Sequence, residues 1–182
     1  AEQNHVRAQF EIGLRYESGM DVKQDYRLAM EWYRRAADHD YAPAQFMVGA
    51  LFDSDDAGML DSREAYAWYR KAADQGYARA QFALGLRYDS GQGVPRDYEA
   101  AYFWYMHAAR QGHARAQFNL GLMHASGHGA MPDLVQALTW LQQAEHGGVP
   151  AASRYVKATA ARMNPAQLAQ AQCLAVRADL AA

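Results

Sequence analysis

The sequence predicts an all-α fold, a right-handed α-solenoid built from helix–turn–helix repeats with a period of 36 residues. The first observation is that ARAQFALGLRYDSGQG at residues 78–93 recurs as ARAQFNLGLMHASGHG at 114–129, 36 positions later. The second is that several residue types recur at the same step through four copies. One such unit cannot bury its apolar face alone, so the repetition predicts units that stack on one another.

At least six positions hold the same residue type in all four copies. These positions are Gln9, Gln45, Gln81 and Gln117; Phe10, Phe46, Phe82 and Phe118; Gly13, Gly49, Gly85 and Gly121; Asp25, Asp61, Asp97 and Asp133; Ala29, Ala65, Ala101 and Ala137; and Trp32, Trp68, Trp104 and Trp140. We number the units repeats 1–4, at residues 5–40, 41–76, 77–112 and 113–148, within a single solenoid domain over 1–182. All four tryptophans of the protein occupy one repeat position, which chance does not produce.

The first half of each repeat predicts an α-helix, called helix A. In repeat 3 this segment is ARAQFALGLRYDS, where Ala80, Leu84 and Tyr88 are spaced i, i+4 and i+8 along one helical face. A glycine-rich loop, GQGVP, then ends the helix and turns the chain.

The second half of each repeat predicts helix B. Asp97 is suited to be its N-cap in repeat 3. In repeats 2 and 4, Glu64 and Gln136 stand three residues after the aspartate and complete a capping-box pattern. Gly112 ends helix B of repeat 3.

A glycine inside helix A costs about 1 kcal/mol relative to alanine, so its recurrence in four copies needs a reason. Close approach of helix B is the expected one, because glycine has no Cβ. The expected partner is the recurring alanine of helix B, which is Ala101 for Gly85.

Repeat 4 and the segment after it depart from the pattern. Leu141 stands where the other repeats have tyrosine, and Glu145 replaces the second alanine of helix B. Lys157 falls at the glycine position of what would be a fifth helix A. Asn164 and Pro165 predict the N-cap and first residue of a last helix that runs through Leu180. We expect this segment, 149–182, to form capping helices that close the stack.

The repeat resembles the Sel1-like repeat, a longer relative of the tetratricopeptide repeat. The shared pattern is A-x-A-Q-F-x-L-G-x-x-Y, a G-x-G loop, D, and A-x-x-W-Y-x-x-A-A-x-x-G, over residues 5–148. The resemblance implies a scaffold or adaptor of bacterial origin that binds a peptide or protein on a concave face lined by the A helices. The alternative is a Sel1-like module of a larger regulatory or envelope-assembly protein.

By this resemblance, four positions of helix A, spaced i, i+3, i+7 and i+10, would form the binding face. The predicted partner-binding residues are Arg7, Phe10, Leu14, Glu17, Phe46, Asp53, Arg79, Phe82, Leu86, Asp89, Arg115, Phe118 and Leu122. Arginines and aromatic residues are enriched at binding hot spots, so the face would have aromatic anchors between an arginine edge and an acidic edge. The other interpretation stays open: the phenylalanines pack between successive A helices and the charges only solvate the rim.

Composition argues against several classes of function. The net charge is −2, which gives no basic field for nucleic acid. No apolar run approaches the ~20 residues that span a bilayer. Cys173 is the only cysteine, so no intrachain disulfide can form. The chain begins at Ala1, and AEQ would suit a mature start after a signal peptide, so we expect a periplasmic or secreted protein, with the cytoplasm as the alternative.

No motif in the sequence supports catalysis or a cofactor. His124 and His128 have the i, i+4 spacing of some metal ligands, but Gly127 and Gly129 interrupt the helix and no further ligand completes the set. A G-x-S-x-G motif and a phosphate-binding loop are both missing from the sequence. We therefore predict no enzyme activity, no metal and no cofactor, and a monomer that binds a protein or peptide partner.

Overall fold

The computed structural model describes residues 2–55 and 58–179, and all regular elements in those two ranges are α-helices. The helices are α1 (Glu2–Ser18), α2 (Tyr26–Ala37), α3 (Ala42–Asp53), α4 (Ser62–Asp74), α5 (Ala78–Ser90), α6 (Tyr98–Arg110), α7 (Ala114–Ser126), α8 (Leu134–His146), α9 (Ala152–Ala160) and α10 (Pro165–Asp179). Helix A of repeats 1–4 is α1, α3, α5 and α7, and helix B is α2, α4, α6 and α8. The predicted all-α architecture of helix–turn–helix repeats is confirmed.

The chain divides into two compact units, residues 1–84 and 85–182, with the boundary inside α5. The N-terminal unit contains α1–α4 and the first half of α5. The C-terminal unit contains the second half of α5 and α6–α10. The single solenoid domain over 1–182 and the repeat boundaries stay predictions.

Every helix B begins at the recurring aspartate. The Oδ1 atom of Asp97 accepts hydrogen bonds from the backbone N–H groups of Glu99 and Ala100, both at 3.0 Å, and the other three aspartates cap their helices in the same way. The N-cap prediction for Asp97 is therefore confirmed.

The backbone N–H of the capping aspartate bonds to helix A. In repeat 2 the N–H of Asp61 donates to the carbonyl of Phe52 at 2.8 Å, and in repeat 4 that of Asp133 donates to the carbonyl of His124 at 2.9 Å. These bonds take the place of the reciprocal capping-box bonds expected from Glu64 and Gln136. The aspartate thus fixes the start of helix B to the last turn of helix A.

The glycine of helix A packs against an aromatic ring of helix B. A Cβ placed on Gly13 would lie 2.5 Å from Cε1 of Tyr33, and one on Gly49 would lie 2.8 Å from Cδ1 of Tyr69. The expected close approach is confirmed, but the expected partner is wrong: the tyrosine four residues after the alanine makes the nearest contact. The backbone of the alanine lies further from the glycine than the ring does. In repeat 2 the Ala65 carbonyl oxygen would lie 3.3 Å from a Cβ on Gly49.

The recurring glutamine joins one repeat to the one before it. Nε2 of Gln45 donates to the carbonyl of Ala37 at 3.3 Å, that of Gln81 to Ala73 at 3.3 Å, and that of Gln117 to Ala109 at 3.2 Å. The three glutamine side chains are buried, so these bonds satisfy amides that would otherwise destabilise the fold. Each bond ties helix A to the end of helix B of the preceding repeat.

The C-terminal segment forms two helices that pack on the last repeat. The Oδ1 atom of Asn164 accepts from the N–H of Gln167 at 2.9 Å, and the N–H of Asn164 donates to Oε1 of Gln167 at 3.0 Å, a complete capping box. The predicted N-cap is confirmed, while the predicted end at Leu180 lies outside the described residues. Ala171 of α10 is buried against Val135 and Leu138 of α8, so this segment covers helix B of repeat 4.

Substituting Gly85 by alanine tests the packing of glycine against tyrosine. Helix propensity alone would stabilise the protein by about 1 kcal/mol. The new Cβ would instead meet the ring of Tyr105, so we expect a loss of about 1–3 kcal/mol in urea unfolding. Ala67→Gly, on the exposed side of α4, measures how much helix propensity alone changes the free energy of unfolding between alanine and glycine in this protein. A gain in stability for Gly85→Ala would contradict the packing account.

Candidate functional site

The three predicted arginines are exposed, and two of them lie in the first turn of their helices. Arg7 lies in α1, Arg79 is the second residue of α5 and Arg115 is the second residue of α7. In repeat 2 this position is Pro43, in the first turn of α3. The positive end of a helix dipole lies at its N-terminus, so the guanidinium groups of α5 and α7 add to an already positive edge.

Two of the predicted phenylalanines, Phe10 and Phe46, are half-buried between two aromatic neighbours. The ring centroid of Phe10 lies 5.6 Å from that of Tyr33 in the same repeat and 5.4 Å from that of Tyr41 at the start of the next. Phe46 makes the equivalent contacts with Tyr69 and Tyr77, at 5.4 and 5.6 Å. Part of each ring therefore packs within the repeat array, and the remainder stays accessible.

The other two phenylalanines and the leucines complete this face. Phe118 contacts Tyr155 of α9 at 5.4 Å, and Phe82 is also half-buried. Leu86 is 42% exposed, whereas Leu14 and Leu122 are half-buried. The apolar part of the predicted face is thus most accessible at Leu86.

The three predicted acids bond to the tyrosines that cover the glycines. The donor–acceptor pairs are Tyr33 with Glu17, Tyr69 with Asp53 at 3.3 Å, and Tyr105 with Asp89 at 3.2 Å. In each pair the hydroxyl of helix B donates to a half-buried carboxylate in the last turns of helix A of the same repeat. Repeat 4 lacks both partners, because Leu141 and Ala125 occupy the two positions.

The surroundings of these tyrosines keep their hydroxyls protonated. Burial is the largest cause that raises the pKa of Tyr105 above its ordinary value, and the charge of Asp89 raises it further. The pKa of Tyr33 is raised by burial first and then by its bond to Glu17. A protonated hydroxyl is a donor at neutral pH, so the acids hold helix B in place as well as bordering the face. Repeat 4 lacks both the tyrosine and the acid, and this joint absence is the sequence signal that could have revealed the pairing.

The C-terminal unit also contains an open cleft that the sequence did not predict. It lies between the A–B loops of repeats 3 and 4 and is lined by Tyr88, Arg96, Met131 and neighbouring residues. Tyr98 stacks on His128 with the ring centroids 4.9 Å apart and the planes at 11°. The guanidinium carbon of Arg96 lies 5.4 Å from the centroid of the same tyrosine.

The part of the chain that the structure describes has neither a cluster of metal ligands nor a helix that could span a membrane. No group of three or more histidine, cysteine or acidic side chains there could hold a metal ion. The two histidines with the spacing of metal ligands have separate surroundings. His124 is buried in α7, whereas His128 lies in the loop after α7 and stacks on Tyr98. No helix within these ranges is both long enough and apolar enough to cross a bilayer.

Comparison with known proteins identifies the repeat. The model of the Sel1 repeat family matches residues 6–41, 42–77, 78–113 and 114–149, each one residue later than the repeats defined above. No protein with a curated description matches the sequence.

Solved structures share the fold. A Sel1 repeat protein from Oxalobacter formigenes is 32% identical with a TM-score of 0.77, over 85% of this chain and 63% of that one. A protective antigen of uropathogenic Escherichia coli strains, which displays an SLR fold, is 28% identical with a TM-score of 0.65, over 98% of this chain and 46% of that one. Cysteine-rich protein B of Helicobacter pylori is 20% identical with a TM-score of 0.57, over 74% of this chain and 97% of that one, and shows the fold alone.

A double-mutant cycle tests the bond between Tyr105 and Asp89. We expect Tyr105→Phe and Asp89→Ala each to reduce the free energy of unfolding, because each breaks the bond between the buried hydroxyl of Tyr105 and the half-buried carboxylate of Asp89. A hydrogen bond to a charged group contributes about 1.5–3 kcal/mol, so the double variant should be more stable than the sum of the two single losses by about 1–2 kcal/mol. Urea unfolding of the four proteins measures this coupling, and additive losses would show that the carboxylate does not hold the ring.

Proposed function

The chain belongs to the Sel1 repeat family, and from that premise we propose that it is a scaffold that binds a protein or peptide on the exposed face of its A helices. Sel1 repeat proteins generally mediate interactions between proteins and typically act without catalysis. A scaffold of this kind needs accessible side chains on a rigid support. Helices joined by partly buried hydrogen bonds within repeats and by buried ones between repeats provide that support.

The observation that carries the proposal is an exposed arginine three residues before a half-buried phenylalanine. This pair occurs as Arg79 and Phe82 on α5, and as Arg115 and Phe118 on α7. Arginine and aromatic side chains dominate the energetics of many protein interfaces. Because the nearby acids accept bonds from tyrosines, we assign the partner contacts to the arginines and to the accessible edges of the phenylalanine rings.

A second candidate is that the chain is a module of a larger regulatory or envelope-assembly protein. The chain spans 63% of the Oxalobacter formigenes chain and 46% of the Escherichia coli chain, which supports this candidate. The bacterial sources of the solved relatives suggest a bacterial origin. The periplasmic location stays a prediction.

Charge reversal on the A helices tests the proposed binding face. We compare Arg79→Glu and Arg115→Glu with Arg27→Glu and Arg63→Glu, which reverse exposed arginines in the first turn of helix B. Proteins cross-linked to the wild-type chain in the source cell are captured and quantified by mass spectrometry. We expect the helix A variants to lose the specific partner by at least about tenfold, since hot-spot residues contribute about 2 kcal/mol or more.

Thermal melts first establish that the four variants remain folded. Equal capture by the helix A variants and the helix B controls would contradict the proposed face. If only Arg27→Glu and Arg63→Glu lose capture, the binding surface lies on the B helices instead.

A further inference from the structure

Repeat 4 carries a buried histidine where the other repeats carry tyrosine or phenylalanine. His124, in the last turn of α7, is 7% exposed. The equivalent residues are Tyr16, Phe52 and Tyr88. An imidazole at this buried position can gain a proton in the range where cells change their pH.

The surroundings of His124 suit a neutral ring. Its Nε2 lies 3.4 Å from the hydroxyl of Tyr102 of α6, and the two rings meet edge to face at 81° with centroids 5.5 Å apart. Its Nδ1 is buried, and no group in the described residues reaches it with hydrogen-bonding geometry. The charged group that acts on the His124 ring is Asp133, the N-cap residue of α8. Its carboxylate favours the charged form of the ring, and so does the Met131 backbone. On the loop, His128 stacks on Tyr98.

The backbone of His124 closes the A–B loop of repeat 4. Its carbonyl accepts the N–H of Asp133 at 2.9 Å, and the N–H of Gly127 donates to the carbonyl of Met123 at 2.8 Å. Residues 127–132 between these bonds form one wall of the cleft in the C-terminal unit. A change at the His124 ring therefore acts on the residue whose carbonyl holds the end of this loop and the N-cap of α8.

We propose that protonation of His124 releases the A–B loop of repeat 4, so that this loop and the cleft wall it forms respond to acid. A charged imidazolium in this buried position lacks the water that would solvate it, and the loop must move to admit water. The same loop in repeat 3 is closed by the backbone carbonyl of Tyr88, which accepts the equivalent bond from Asp97 at 2.9 Å. The response of the repeat 4 loop to acid does not depend on the proposed binding face.

The direction of the pH dependence follows from burial. Burial lowers the pKa of His124 from its ordinary value, and Asp133 and the Met131 backbone oppose that shift less strongly. The closed loop thus binds the proton less well than an open or unfolded chain does, since the pKa of a histidine in an unfolded chain is about 6.5. The stability of the closed loop is complete above about pH 6.5 and is lost as the pH falls through the lowered pKa.

Hydrogen exchange of the Asp133 amide measures the closed loop directly, because this N–H is bonded to His124. We follow exchange by NMR in the full chain at pH 7.0, 6.0 and 5.0, corrected for the intrinsic rate at each pH. We expect the Asp133 protection factor to fall on acidification, by at most about tenfold per pH unit. The Asp97 amide of repeat 3 is the internal control and should keep its protection factor.

Three variants separate His124 from the other histidines. His124→Tyr and His124→Phe install residues that other repeats hold at this position, and both should abolish the fall at Asp133. His128→Asn should retain it. The proposal is overturned if Asp133 protection does not change with pH in the wild type, or if it falls equally in both His124 variants or equally at Asp97.

Discussion

The contact between the tyrosine of helix B and the glycine of helix A is the constraint on which the repeat depends. A Cβ on the glycine would overlap the ring, as the Gly49–Tyr69 contact shows, so the two helices can approach only where that atom is missing. With the ring seated there, its hydroxyl reaches a carboxylate one turn further along helix A, Asp53 in this repeat. The approach of the helices and the identity of the acid are therefore consequences of one packing arrangement.

Residues that depend on one another also disappear together. Repeat 4 replaces the tyrosine by Leu141 and the acid by Ala125, while the smaller side chain still packs on Gly121. The last junction between repeats differs, because there only the donor is lost. Ser153 stands at the glutamine position, while residue 145 still has the backbone carbonyl that would accept the bond. The tyrosine and the acid are thus a paired interaction that repeat 4 has lost as a unit.

The sequence predicted the fold well because the period and the N-cap aspartates are local signals with a direct physical meaning. It assigned Gly85 to the wrong partner, since helical periodicity places Ala101 and Tyr105 on the same face and cannot rank their distances. It did not reveal the bond between Asp89 and Tyr105, because spacing along one helix does not show a hydroxyl that arrives from the next helix. The role of Asp89 in partner binding stays a prediction. The cleft beside Tyr98 was not predictable, because it arises where two loops distant in sequence lie together. The partner-binding role of Arg79 and Arg115 stays a prediction.

Transplanting the missing pair into repeat 4 is the most direct test of this account. Leu141→Tyr, Ala125→Asp and the double variant are compared with the wild type by urea unfolding. If the ring on the glycine and the carboxylate act together, each single change should destabilise the protein. The double variant should then be more stable than the sum of those losses by about 1–2 kcal/mol. Additive effects would contradict the account, because they would mean that ring packing and the acid contribute independently.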